Sequence, residues 1–272
     1  MQITILYFTD PWCAWCWASE PNILRMREEY GKQIQIVFKM GGLLEDIGKF
    51  YGSGKIPISD IANHLRSVSR QSGMPINEET VLEDPPESTW PSNVAYKAAE
   101  FQGDAIAERY LRRLREAAFL EGLNISKRDA LEALAASIGV DMEKFRDALD
   151  TGKAETAFRE DLRECEDRKI KGFPTLVFKN PDGKEISLIG YRKFEEYENT
   201  IDRLTEGEIS KVSTSNIESF IKKYKRITTV ELAEVFQYFP TEAAVVLEEL
   251  AKKGIVRKHE MKSGNLWEYI GA

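Results

Sequence analysis

The chain of 272 residues is poor in several features that common functions require. It holds three cysteines, at 13, 16 and 165, too few for the disulfide framework that staples secreted domains. It holds two histidines, His64 and His259, and no second paired cysteine motif, so a four-ligand zinc site lacks donors. No metal and no cofactor is expected. No apolar run is long enough to cross a bilayer. Met1-Gln-Ile-Thr4 leads straight into a strand pattern, with no room for a charged and then apolar leader. These shortages point to a cytoplasmic protein with no membrane partner. Positive charge is short as well: 38 Lys and Arg against 45 Asp and Glu leave a net charge of -7. That balance disfavours a general affinity for nucleic acid or acidic lipid.

What is present is concentrated in Asp10-Pro-Trp-Cys-Ala-Trp-Cys-Trp17. The preceding run Ile3–Phe8 is β-branched and aromatic, as a buried strand is. A helical pattern follows, with apolar Trp17, Ile23, Leu24 and Met26. Two cysteines three apart at a strand-to-helix junction fit a redox dithiol. Cys13 lies at the positive end of the helix, where its thiolate is favoured and it can attack, and Cys16 lies one turn on, where it can resolve a mixed disulfide. Half a zinc site and an inert buried pair are the rival readings, and the strand-then-helix context favours redox. Cys165, on a later helix with Phe158 and Leu162, reads as a small buried hydrophobe. Trp17 belongs to the core. Trp12 and Trp15 are expected to form a partly exposed apolar platform around Cys13 for a peptide-like substrate. Trp90 is either part of that rim or a cap on a helical core.

The rest of the chain supplies the frame. Gln33–Phe38 is a second strand, parallel to the first through the intervening helix, and leaves through Gly41-Gly42. Helical periodicity then dominates to about Lys169: 59–72, 92–102, 104–121, 127–138, 142–150 and 154–169. Thr175–Lys179 and Glu185–Ile189 flank Asn180-Pro-Asp-Gly183, a hairpin turn, and a helix over 194–204 closes the set. The order β-α-β, helices, β-β-α is a thioredoxin fold (residues 1–43 and 170–206) with a helical domain inserted at 44–169. After a polar stretch at 207–215, residues 216–272 show three short helices and a hairpin, the pattern of an α+β winged-helix module. From Glu208 onward there are 10 Lys and Arg against 9 Asp and Glu, and the third helix carries Glu242, Glu248 and Glu249. A DNA reader needs a positive face, so a protein contact or self-association is preferred to DNA.

These residues resemble the DsbA family of thiol–disulfide oxidoreductases. The likeness is to the cytoplasmic subset with an Asp-Pro-x-Cys-x-Trp-Cys-Trp signature, which includes FrnE-like proteins and the YjbH/SpxH type. Pro21, the Gly41-Gly42-Leu43 turn and Gly172-Phe-Pro-Thr175 fit the same family. The resemblance implies a cis Phe173–Pro174 bond facing the cysteines, with the Phe173 backbone free to pair with an extended substrate. It implies that Glu20 and Lys39 lie beneath the site as a proton relay for Cys16, a solvated salt bridge being the alternative. Tyr7 stands where many relatives carry an acid, and Ala14-Trp15 lacks the histidine of the periplasmic oxidases. Two functions are compatible with the resemblance. One is an oxidoreductase or isomerase acting on protein or peptide disulfides through Cys13 and Cys16. The other is a protease adaptor or redox-sensing binding module of the YjbH/SpxH type.

Overall fold

The computed structural model describes residues 1–47 and 58–271. Strand β1 (Ile3–Thr9) runs into the cysteine turn, followed by α1 (Ala14–Ala18), α2 (Glu20–Tyr30) and β2 (Ile34–Met40). The expected single helix is broken at Ser19, and Pro21 sits in the first turn of the second piece, where its missing N–H costs nothing. Among the described residues, six helices follow: α3 (Ile58–Ser72), α4 (Glu79–Glu83), α5 (Trp90–Glu100), α6 (Asp104–Phe119), α7 (Arg128–Ser137) and α8 (Met142–Asp150). Helix α9 (Lys153–Asp167), strands β3 (Thr175–Lys179) and β4 (Glu185–Ile189) and helix α10 (Phe194–Thr205) complete this part of the chain. The sheet order is β2-β1-β3-β4, with β1 and β2 parallel and the other pairs antiparallel. No helix among the described residues is long and apolar enough to cross a membrane.

Period-2 alternation of β1 decides which residues face which layer. Ile3, Ile5 and Tyr7 point into a core with Ile23 and Met26 of α2 and Tyr197 and Ile201 of α10. Phe8, on the opposite face, packs with Val177 and Cys165. The inserted helices build their own core around Tyr110, Leu114, Phe119 and Phe145, and Trp12 and Trp17 from the cysteine turn belong to it. The turn therefore lies where the sheet layer meets the insertion.

The C-terminal residues form α11 (Ile217–Tyr224), β5 (Arg226–Thr228), α12 (Thr229–Phe236), α13 (Pro240–Lys252), β6 (Val256–Met261) and β7 (Gly264–Tyr269). The three helices and the hairpin of the sequence pattern are present. The pattern missed β5, three residues that pair with β7 to give the order β5-β7-β6. Leu24 of α2 enters the core of this module beside Phe220, Leu232 and Trp267. The polar stretch before it is also bound: Val212 N–H donates to Glu29 O at 2.6 Å, and Lys211 Nζ lies 2.8 Å from the Glu29 carboxylate.

Glu28 of α2 holds α11 in place. Its carboxylate accepts from Lys223 Nζ at 2.7 Å, Ser215 Oγ at 2.7 Å and Tyr224 Oη at 3.0 Å. Burial alone would raise its pKa, but Lys223 and these donors outweigh it and hold the carboxyl below its usual range. A lowered folded value stabilises the native state above the unfolded pKa, about 4.3, and that stabilisation fades as pH falls through the folded value. The gap in urea stability between the wild type and Glu28→Gln is therefore expected to be constant above about pH 5 and to shrink below it. A gap that stays flat into acid would contradict this role.

Candidate redox site

The cysteine turn is fixed by a carboxylate. Asp10 has no exposed surface, and its Oδ1 accepts the Trp12 N–H at 2.7 Å. Its Oδ2 accepts from Leu43 N at 2.7 Å, Thr89 Oγ1 at 2.8 Å and Asn93 Nδ2 at 2.8 Å. One side chain thus ties the end of β1 to the glycine turn after β2 and to the start of α5. Burial raises the Asp10 carboxyl above its ordinary value, against the pull of these donors. The glycine turn has its own reason: a Cβ on Gly41 would lie 2.0 Å from the Phe173 ring, so the ring lies flush on bare backbone.

Cys13 is the N-cap of α1, and its Sγ accepts the Cys16 N–H at 3.2 Å. It is 4% exposed and Cys16 0%. The expectation that Cys13 carries the lowered pKa is not met. Burial, and then the Cys16 thiol beside it, push Cys13 well up. Burial pushes Cys16 up too, but the Cys13 thiol, the Arg115 guanidinium, the Thr9 hydroxyl and the Asp10 N–H together bring it below its ordinary value. Two thiolates enclosed together would repel, so the pair can hold at most one negative charge, and the Arg115 guanidinium favours that charge on Cys16. Tyr7, at the position of the missing acid, is a buried phenol whose Oη donates to Cys16 O at 3.3 Å. Burial first, and then the charge of Cys16, raise its pKa and keep it neutral.

The structure does not bring Glu20 and Lys39 together. Glu20 is buried and ion-paired with the fully buried Arg115 on α6, which also donates to Thr9 Oγ1. Its second oxygen lies 3.7 Å from Arg112 Nη1. The carboxylate is neither a free proton acceptor nor a solvated surface partner. Lys39 belongs to another network, 3.3 Å from Asp161 Oδ1 and 2.9 Å from Glu164 Oε2, with Lys97 3.0 Å from the other Asp161 oxygen. Arg112, Arg115, Asp161, Asn93 and Thr89 were not singled out by sequence reasoning. Arg115 did leave a trace, a charge set among Leu111, Leu114 and Ala118 on the apolar period of α6.

The tryptophan platform is corrected in part. Trp12 is 8% exposed and belongs to the core of the insertion, because the helices that follow β2 cover the face that looks open in the local sequence. Trp15 alone stays half-buried at the rim, its ring 5.4 Å from Tyr191 and 6.4 Å from His64. Trp17 is core, as expected, with its Nε1 donating to Pro75 O at 2.9 Å and its ring stacked on Phe119. Trp90 is half-buried against Phe158 and donates to Gly42 O at 3.2 Å, so it closes the junction between the glycine turn and α9.

The Phe173–Pro174 peptide is cis. The register Phe8↔Thr175 sets Pro174 beside the end of β1, where the cysteine turn begins. Strand pairing starts only at Thr175, which leaves Phe173, half-buried, outside the ladder. Cys165 is buried with Phe8 and Val177, and burial pushes its thiol to about 12. Brief treatment of the reduced chain with iodoacetamide near pH 8 should therefore spare Cys165. Peptide mass mapping checks this, and rapid labelling of Cys165 in the folded chain would refute it.

Comparison with known proteins agrees with this geometry. A thioredoxin family model matches residues 6–199. The ClpXP adapter protein SpxH of Halalkalibacterium halodurans is 32% identical, over 98% of this chain and 89% of that protein. The SpxH of Bacillus subtilis is 26% identical with the same coverage. Among solved structures, a putative protein disulfide isomerase from Nitrosomonas europaea superposes with a TM-score of 0.65 at 20% identity, covering 76% of this chain and all of that one. The cytosolic disulfide reductase DsbM from Pseudomonas aeruginosa gives 0.57 at 23%, covering 75% and 95%. At these identities the solved structures speak for the fold alone. The buried dithiol at the end of β1, the family match and the near full-length likeness to SpxH lead to one conclusion: the chain belongs to the thioredoxin family, with the SpxH proteins.

Proposed function

We propose that the chain is an adaptor that presents a client protein to a ClpXP-type protease in the cytoplasm, with Cys13 and Cys16 as a redox-responsive dithiol inside it. One observation carries the reading. The disulfide enzymes of known structure account for about three-quarters of the chain, whereas the SpxH adapters account for nearly all of it. The C-terminal residues suit protein contact. Three helices with the sheet order β5-β7-β6 support the reading of a winged-helix-like module, and the outer side of α13 offers Phe239, 74% exposed, and Val245 beside Glu242 and Glu249. Apolar and acidic groups do not attract phosphates, which argues for a protein partner or a second copy over DNA.

The enclosure of the thiols favours sensing over rapid exchange with bulky substrates, since attack requires access. A second reading, protein disulfide oxidoreductase or isomerase, draws on the thioredoxin family match around the dithiol. In it Cys13 attacks a substrate disulfide, Cys16 resolves the mixed disulfide, and Trp15, Phe173 and Pro174 bear the extended chain.

Two assays on the full chain separate the readings, each run with wild type and with Cys13→Ser/Cys16→Ser. In the first, purified ClpXP and ATP act on a cell extract with and without the chain, and protein turnover is followed by mass spectrometry. In the second, glutathione reduces insulin disulfides in the presence of the chain. The adaptor reading expects at least one extract protein to be degraded several-fold faster with either form. It fails if no turnover responds to the chain, and cysteine-dependent insulin reduction would then establish the enzymatic reading.

A further inference from the structure

Arg115 does more than neutralise Glu20. It has no exposed surface, its Nη1 donates to Glu20 and its Nη2 to Thr9, and its Nε has no partner among the described residues. A buried cation with a spare donor next to an ionisable sulfur is a reservoir of positive potential for that sulfur. Glu20 shares its other oxygen with Arg112, one helical turn before Arg115 on α6. Arg112 also lies with its guanidinium 4.8 Å from the ring centre of Trp17 and donates from Nε to Glu116 at 2.8 Å. Its Nη1 and Nη2 grip both oxygens of Glu231, the second at 3.0 Å. Glu231 is fully buried and stands in the first turn of α12, where its carboxylate also accepts the Thr228 N–H at 2.6 Å.

The result is a row of alternating charges: Cys16, Arg115, Glu20, Arg112, Glu231. It runs from the dithiol into the C-terminal module. The other titratable groups facing Cys16 are Cys13, Tyr7 on β1 and Tyr197 on α10, and none of them links to the module. We propose that Arg115 is the electrostatic positioning residue of the dithiol, and that Glu231 of the C-terminal module tunes it through Arg112 and Glu20. Docking of the module and the redox state of Cys13–Cys16 are then one linked equilibrium. The inference rests on the reading of the pair as a redox dithiol.

The linked step is two-electron oxidation by a disulfide RSSR, such as oxidised glutathione. Cys13–SH and Cys16–S⁻ form an S–S bond, the R–S–S–R bond breaks, RSSR takes both electrons, and the products are RSH and RS⁻. The Cys13 proton leaves on RSH. Oxidation removes the negative charge in front of Arg115, which turns fully to Glu20. Glu20 then holds Arg112 less, and Arg112 grips Glu231 more. The oxidised chain should therefore seat its module more firmly, and by reciprocity the charge of Glu231 should favour oxidation.

The test is a glutathione titration of the full chain, with hydrogen exchange of residues 229–236 in both redox states. Glu231→Gln is isosteric and a residue of the module, and it should lower the oxidation equilibrium constant by about threefold or more. Arg112→Met and Arg115→Met should raise it, and Arg115→Lys, which keeps the charge, should lie near wild type. In the wild type, α12 amides should exchange more slowly after oxidation. A purely structural network would give no such opposition of sign. If Glu231→Gln titrates with the wild type, or shifts the same way as Arg115→Met, the inference is overturned while the redox reading stands. If the pair forms no disulfide at any glutathione ratio, both fall. Should either Arg→Met protein not fold, Glu231→Gln and the exchange measurement decide alone.

Discussion

A guanidinium with no exposed surface lies beside the two cysteines, and the arrangement around it follows from the need to keep it paired. An arginine stripped of water and left without counter-charge costs several kcal/mol. Glu20 and Thr9 supply the partners, and each sits where only this fold can bring it: Thr9 at the last position of β1, Glu20 at the first of α2, Arg115 on the fourth turn of α6. The strand, the helix after the cysteines and the insertion are thus mutually located by one cation. Asp10 does the complementary work with neutral donors, binding the cysteine turn to the glycine turn and to α5. Between them these two residues define the floor and the hinge of the dithiol.

This explains why the site departs from the simplest Cys-x-x-Cys picture. The N-cap position gives Cys13 a single backbone donor at 3.2 Å, and desolvation outweighs one such bond. Cys16, deeper and without exposure, faces Arg115, the Thr9 hydroxyl and the Asp10 N–H. Depth favours the neutral thiol in general, but here the deeper sulfur is the one with the fixed charge beside it. Pairing wins over burial at Cys16 and burial wins over capping at Cys13. A negative charge on the reduced pair is favoured on the deeper sulfur, on the side of Arg115 and Glu20.

The parts of this that were legible in the sequence are those with local signatures. The strand before Asp10, the two glycines after β2, the Asn180–Gly183 turn and Gly172-Phe-Pro all mark backbone requirements that a few neighbouring residues express. The glycines announced a close approach without saying to what, and Phe173 is the answer, 132 positions away from Gly41. The parts that were not legible depend on pairs distant in sequence. Arg115 and Glu20 are 95 residues apart, and Arg112 and Glu231 are 119 apart. Helical period placed Arg115 on the apolar side of α6, but nothing in the period names its partner. Trp12 failed for the related reason that exposure is a property of what packs on top. Read locally it sits at an open helix end, whereas the inserted helices close over it.

The C-terminal module shows how little net charge says about where individual charges go. Near-neutrality after Glu208 suggested a surface with few free cations of any kind. The structure gives a sharper reason: most of the cations are already ion-paired. Lys211 and Lys223 are bound to Glu29 and Glu28, and Arg226 to Glu116 and Glu121. Arg257 and Lys258 pair within the module with Glu268 and Glu248, and Lys262 reaches Glu79 of α4. Six of the ten basic residues counted there hold the module together or hold it to the body. A phosphate backbone would have to compete with carboxylates already in contact, several of them buried, where an ion pair is least screened. The same occupancy argues against a module that swings freely. To detach it, Arg112 and Glu231 would both have to be uncovered, and separating a buried pair leaves two uncompensated charges. Loosening the module therefore costs free energy that depends on the charges at and around Arg112 and Glu231.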